Sequence, residues 1–295
     1  MNLYTINTGH FKLDGGAMFG VVPKSIWNKL NAADENNMCS WAMRCLLIED
    51  EGRLILIDNG MGDKQDAKFF GHYYLHGNDT LDRSLAAYGF LRDDITDVFL
   101  THLHFDHCGG SVIREHDKLL PAFKNATYWS NEQHWAHAIQ ANEREKASFL
   151  KENILPIQES GQLKWIPSPL SGSSGEELTA PQVQLSSGFL TNSLSAIFVN
   201  GHTQAMMLPE ISYKDNKIIF MADLLPSIAH LPMPYIMSYD IQPLITLSEK
   251  KLILNRAMEK KHIFFFEHDP IHECCTLEMT DKGIRAGKVF SLKDI

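Results

Sequence analysis

The stretch THLHFDHCGG, residues 101–110, constrains this chain more than any other. It places His102, His104, Asp106 and His107 within six positions, followed by Gly109 and Gly110. On extended backbone, side chains two apart project to the same face, so His102 and His104 can converge on one ion. Asp106 and His107 come next, and a bend there directs them toward a second ion. At this chain's own residue frequencies, H-x-H-x-D-H arises by chance roughly once in 500 sequences of this length. A solvated polar loop is therefore the weaker reading. Imidazole nitrogen mixed with carboxylate oxygen suits zinc, manganese, iron or cobalt, and argues against calcium and magnesium.

Four donors do not fill two ions, so others are expected at further strand ends. His202 in NGHT, Asp223 in MADLL and His268 in FEHDP each follow an apolar run: LSAIFV, KIIFM and HIFFF. Singly, each has an ordinary alternative as a hydrogen-bonded histidine or a helix cap. Their shared placement, together with the opening motif, favours ligation.

The surrounding pattern reads as a mixed α/β (α+β) protein, with two sheets and helices packed outside. Residues 43–48 and 53–57 form an expected hairpin, and ITDVFLT an extended run leading into the motif. Residues 207–213 and 217–222 form a second hairpin around Asp215 and Asn216. Ser130 with Gln133 predicts a capped helix over 130–150, and Thr246 with Glu249 another through Lys260. Residues 168–177 (SPLSGSSGEE) read as an exposed loop. The chain reads as a single domain over 1–295, with a helical insertion around 113–165.

Charge narrows the partners. With 27 basic and 36 acidic residues the net charge is −9, so no basic surface advertises nucleic acid or anionic lipid. No apolar run of membrane-spanning length and no leader pattern occur, so a cytoplasmic protein acting on a small molecule is expected. Five cysteines without a paired spacing fit a reducing compartment.

In this order, the seven donors and IDNGMG, THLHFDHCGG, GHT, MADLL and EHD resemble the metallo-β-lactamase-fold hydrolases over nearly the whole chain. The resemblance implies a four-layer αββα sandwich with a dinuclear centre. His102, His104 and His202 would hold one metal, Asp106, His107 and His268 the other, and Asp223 would bridge them. Asp58 would orient a ligand histidine from outside. Two divalent ions are implied, zinc first, with manganese, iron or cobalt as alternatives.

FKLDGGAMFGVVPKSIW and ADLLPSIAHLPMPYIMSYDIQPLITLSEK look most like the acyl-homoserine lactonase and methyl parathion hydrolase branch. Where lactonases place a tyrosine, three residues beyond the bridging aspartate, Pro226 stands here, so Tyr235 or Tyr239 is a candidate replacement. Met18, Phe19, His230 and Tyr235 are candidate substrate contacts.

The expected reaction is attack by a metal-bridging hydroxide on a lactone or related ester, with Asp106 relaying a proton to the leaving group. A glyoxalase II-like thioesterase or a phosphotriesterase is the enzymatic alternative. A metal-containing ligand sensor is the non-enzymatic one. Cys108 reads as a small buried filler, and Gly109 and Gly110 as points of close backbone approach or a helix start. The oligomeric state stays open, a homodimer included.

Overall fold

The computed structural model describes residues 1–168, 184–187 and 190–295. From residue 169 onward, the expected loop at 168–177 lies outside the described residues. The chain forms two compact units, residues 1–11 with 42–166 and residues 12–41 with 167–295.

The first sheet begins with β1 (Asn2–Asp14), β2 (Met38–Asp50), β3 (Arg53–Ile57) and β4 (Asp97–Phe99). A small hairpin, β5 (Val112–Glu115) and β6 (Lys118–Pro121), precedes β7 (Thr127–Ser130) and β8 (Leu163–Trp165). The six-stranded order is β1-β2-β3-β4-β7-β8. The β2–β3 turn is tighter than the sequence suggests. Asp50 pairs with Arg53, leaving Glu51 and Gly52, both at positive φ (49° and 75°), as a two-residue turn of the kind that matches strand twist. Residues 113–165, expected as a helical insertion, supply the helices Glu132–Ile139 and Lys151–Glu159 but also β7 and β8, two strands of the main sheet.

The helix expected over 130–150 is shorter. Ser130 ends β7, and the Asn131 side chain caps the helix by accepting from His134 N at 2.8 Å. Beyond Gln140, the Asn142 side chain accepts from Arg144 N and Glu145 N, a local alternative that competes with helical bonding.

The second sheet contains β9 (Gln184–Ser187), β10 (Leu194–Val199), β11 (Met206–Tyr213), β12 (Asn216–Phe220), β13 (Ile263–Phe265), β14 (Cys274–Thr280) and β15 (Gly283–Phe290). Its order is β15-β14-β13-β12-β11-β10-β9, with β12 and β13 parallel. The helix before β13 starts at Pro243, three residues earlier than the Thr246 signal. Proline is suited to the first helical turn because its missing N–H is not needed there. Glu249 is thereby one turn too deep to cap this helix, and it serves another segment instead.

Burial of Ile6, Leu47, Leu56, Val98, Leu100, Phe123, Tyr128, Ile154 and Ile157 forms the core of the first unit. The second unit buries Ile197, Phe198, Leu208, Ile219, Phe220, Phe264 and Phe265. Among the described residues, no helix is long and apolar enough to cross a membrane.

Candidate metal centre

In the first unit the donors grow from the parallel pair β3 and β4. Ile57 aligns with Phe99, so the chains leave the sheet side by side. Asp58 turns at φ 55°, a left-handed conformation that aspartate tolerates better than most residues, and its N–H donates to Phe99 O. The Asp58 carboxylate is fully buried and accepts from Thr101 N at 2.8 Å and Thr101 Oγ1 at 2.6 Å. It also lies 3.1 Å from His107 Nδ1. Thr101 Oγ1 is in turn 3.1 Å from His102 Nδ1. One carboxylate therefore orients two histidines, His107 directly and His102 through a threonine, leaving Nε2 of each as the inner nitrogen.

His104 presents the opposite nitrogen. Its Nε2 contacts Glu145 Oε1 at 3.1 Å, and its Nδ1 faces His102 Nε2 at 3.1 Å. With the outer nitrogens acting as donors, the two inner nitrogens are both acceptors, an arrangement that a shared cation would satisfy. Tetrahedral ligands on bonds of about 2.0–2.1 Å sit about 3.3 Å apart, so the spacing fits a zinc-sized ion. Asp106 Oδ2 lies 3.8 Å from His107 Nε2, and Asp106 is 8% exposed. Leu103 N donates to His134 Nε2 at 2.9 Å, which pins the backbone between the first two histidines.

The two glycines after the motif are required by close approach. A Cβ on Gly109 would lie 2.1 Å from Met61 O, and one on Gly110 2.3 Å from Asn59 O. Lys64 Nζ donates to Gly109 O at 2.5 Å. Burial lowers the Lys64 ammonium to about 8. Cys108 is buried, donates to Leu103 O, and has its thiol pushed up to about 12 by burial. It is a core residue with no thiolate character at neutral pH.

In the second unit, the β12–β13 register does the same work. Phe220 aligns with Phe265, and Asp223 and His268 each stand three residues further on. Asp223 Oδ1 is 3.1 Å from His268 Nε2, and Asp223 Oδ2 is 3.1 Å from His202 Nε2. A carboxylate whose two oxygens face different imidazoles has the form of a bridging ligand. Ala222 before it adopts φ 40°, a strained turn conformation for a residue with a Cβ. His268 N donates to Pro226 O at 3.1 Å, so the proline at the lactonase tyrosine position supports a candidate ligand through its backbone.

His202 sits in the β10–β11 turn. Its Nδ1 is held by Asp240 Oδ1 at 2.8 Å, leaving Nε2 toward Asp223. Burial alone would lower the imidazole, but the Asp223 and Asp240 carboxylates reverse this and raise it to about 10. The pocket thus stabilises positive charge strongly. Glu249 accepts from Asn200 N at 2.7 Å and Gly201 N at 3.0 Å, clamping the turn that carries His202. Burial raises the Glu249 carboxyl to about 7 against those two N–H donors.

The seven expected ligands are all buried donors able to hold a metal ion: four stand in the first unit and three in the second. Imidazole nitrogens, carboxylate oxygens and outer groups fixing the ring orientation suit a transition metal.

Met18, Phe19, His230 and Tyr235 also come together. His230 stacks on Phe19 at 4.7 Å and 3°, and Tyr235 meets Phe19 edge-on at 6.3 Å. His230 Nε2 donates to Met18 O, and Ser227 Oγ bonds its Nδ1. Burial drives the imidazole down to about 3, so it is neutral. Met18, Phe19 and His230 are buried within this cluster and Tyr235 is half-buried, so only the tyrosine keeps substantial accessible surface. Tyr239 is 39% exposed.

The supporting groups Asp240, Glu145, Thr101 and Glu249 escaped sequence reasoning. Asp240 and Glu249 stand 38 and 48 or more residues from the backbone or ring they hold, with no local pattern linking them.

Residues 44–175 match the family described as the Metallo-beta-lactamase superfamily, so this segment is similar to that superfamily. Solved structures extend the likeness in fold across the chain. A probable metal-dependent hydrolase from Staphylococcus aureus aligns with TM-score 0.82 and 24% identity, covering 98% of this chain and 96% of the other. The dizinc quorum-quenching lactonase AidC, in complex with a product, aligns with TM-score 0.74 and 22% identity, covering 98% and 95%. A quorum-quenching N-acyl homoserine lactone lactonase aligns with TM-score 0.65 and 20% identity, covering 91% and 92%. The mixed α/β fold is thus of the metallo-β-lactamase type. No curated protein matches the chain in sequence.

Proposed function

We propose that this protein is a dinuclear metal-dependent hydrolase that opens lactones or cleaves related esters. The observation that carries the reading is Asp223, whose two oxygens each stand 3.1 Å from the Nε2 of a different histidine, His202 and His268. In this reading His102, His104 and His202 hold one ion, Asp106, His107 and His268 the other, and Asp223 serves both. Zinc is the first choice because the His102–His104 nitrogen spacing and the N/O donor set suit it.

Divalent ions there would supply Lewis acidity and an activated water nucleophile. The chain's own residues do the rest. Asp58, Thr101, Glu145 and Asp240 hold the rings of His102, His104, His107 and His202 in orientation from outside, so these four need not reorganise during turnover. Asp106, slightly exposed beside His107, is placed to pass a proton to a departing alkoxide. Tyr235, half-buried and edge-on to Phe19, is the candidate for contact with the substrate carbonyl or leaving oxygen. The lactonase neighbours support the choice of substrate class, and AidC, a dizinc enzyme, supports two ions.

The test is metal content together with hydrolysis of a panel of acyl lactones, thioesters and aryl phosphotriesters. Two metal equivalents with lactone turnover are expected. Cleavage confined to thioesters would remove the lactonase reading, and metal-loaded protein inert toward all three would favour a binding role.

A further inference from the structure

We propose that the second unit carries a separate binding site for a small organic anion with a short apolar tail, such as a medium-chain carboxylate. The site is a cavity of about 210 Å³ lined by Met233, Lys251, Leu254, Asn255, Met279, Lys282, Gly283, Ile284 and Arg285. None of these residues belongs to the donor set described above, and the inference does not depend on the hydrolase reading.

Three features specify the ligand. First, the lining charge is +3, from Lys251, Lys282 and Arg285, with no acidic residue in the wall, on a chain whose net charge is −9. Glu278 pairs across the strands with Arg285, yet no ion pair joins it or another carboxylate to these three cations among the described residues. Arg285 spends one nitrogen on Ile284 O, leaving the rest of its fork for an anion.

Second, the remaining wall is largely apolar. Lys251, Leu254 and Asn255 lie at i, i+3 and i+4 on the helix Pro243–Lys260 and so share one face. Leu254 is 2% exposed, and Met279 and Ile284 are cross-strand partners on β14 and β15. Met233 closes another side, and methionine adapts to a variable alkyl chain.

Third, the size suits a short chain. At about 30 Å³ for each water, the cavity holds about seven water molecules, the bulk of a six- to eight-carbon carboxylate. The site also touches the turn bearing Tyr235 through Met233, and Lys250 ties that turn to the helix by donating to the carbonyls of Pro232, Met233 and Tyr235.

The experiment is calorimetric titration of the full-length protein with hexanoate, with Met233 and Met279 methyl resonances followed by NMR. One equivalent should bind with Kd on the order of 1 mM, weakening with salt. Both methyl signals should shift. Arg285→Ala with Lys251→Ala should weaken binding at least about tenfold, and Lys282→Gln on the exposed turn should weaken it as well should the double variant not fold. His102→Ala should bind as the parent does. Equal binding of hexylamine or inorganic phosphate, unshifted methyls, or loss of binding in His102→Ala with retention in the cationic-site variants would each overturn the proposal.

Discussion

Asp240 Oδ1 lies 2.8 Å from His202 Nδ1, and this contact fixes which imidazole nitrogen faces Asp223. Removing the charge while keeping the shape isolates the effect. Asp240→Asn should fold normally and bind metal about 10–100-fold more weakly, the usual range for an outer partner of a ligand histidine. Competition with a chromogenic chelator measures it; unchanged affinity would mean that His202 is not a ligand held in this orientation.

Asp223 supplies one oxygen to each of two histidines' surroundings. Asp223→Ala should therefore remove about one metal equivalent and most hydrolytic activity, because a bridging carboxylate serves both ions. Elemental analysis and rates on the same sample test this, and two retained metals with full rate would contradict a bridge.

Glu249 gives a pH dependence. Its carboxyl is raised by burial from 4.5 to about 7, so between those values the folded state holds more protons than the unfolded state. Stability must then fall as pH rises through this window, by up to about 3 kcal/mol from this group at 1.36 kcal/mol per unit. Glu249→Gln should flatten the stability profile between about pH 4.5 and 7 when chemical denaturation is repeated across that range. Identical slopes in parent and variant would exclude this role.

Gly201 stands where the NGHT turn meets a helix. A Cβ there would lie 2.2 Å from Thr246 N, and backbone cannot yield as a flexible side chain does. Gly201→Ala should lower the melting temperature by several degrees, roughly 1–3 kcal/mol of overpacking, and reduce metal content because His202 is adjacent. A variant of parental stability and metal content would refute the close-packing account.

Cys108 neighbours His107 but lies in the core, its thiol held at about 12. Cys108→Ala should keep kcat within about twofold and cost roughly 1 kcal/mol of stability through the lost sulfur volume. A hundredfold loss of kcat in a stably folded variant would return the thiol to the chemistry.

The motif's four donors were legible because they are contiguous, and strand geometry alone makes His102 and His104 converge. His202, Asp223 and His268 were legible only as polar residues after apolar runs, plus a family resemblance. The parallel registers explain why that sign worked: alignment of Phe220 with Phe265 carries Asp223 and His268 out together, and alignment of Ile57 with Phe99 does so for Asp58 and Thr101. Helix boundaries were less legible. Ser130 and Thr246 carried plausible capping patterns, but Asn131 and Pro243 set the starts, since a cap is decided by local backbone direction as well as residue type.

The sequence by itself determined the donor chemistry, the apolar strands that bear it and the metal class they suit, because these depend on residue type and short spacing. Only the tertiary structure decided which nitrogen of His102, His104, His107 and His202 faces inward. That choice belongs to Asp58, Thr101, Glu145 and Asp240, and for Glu145 and Asp240 the contact spans 41 and 38 residues of chain. It likewise turned Met18, Phe19 and His230 into a packed cluster and sent Glu249 from an expected helix cap to the His202 turn. Hydrogen bonds and packing between distant segments are created by folding, so no local pattern announces them.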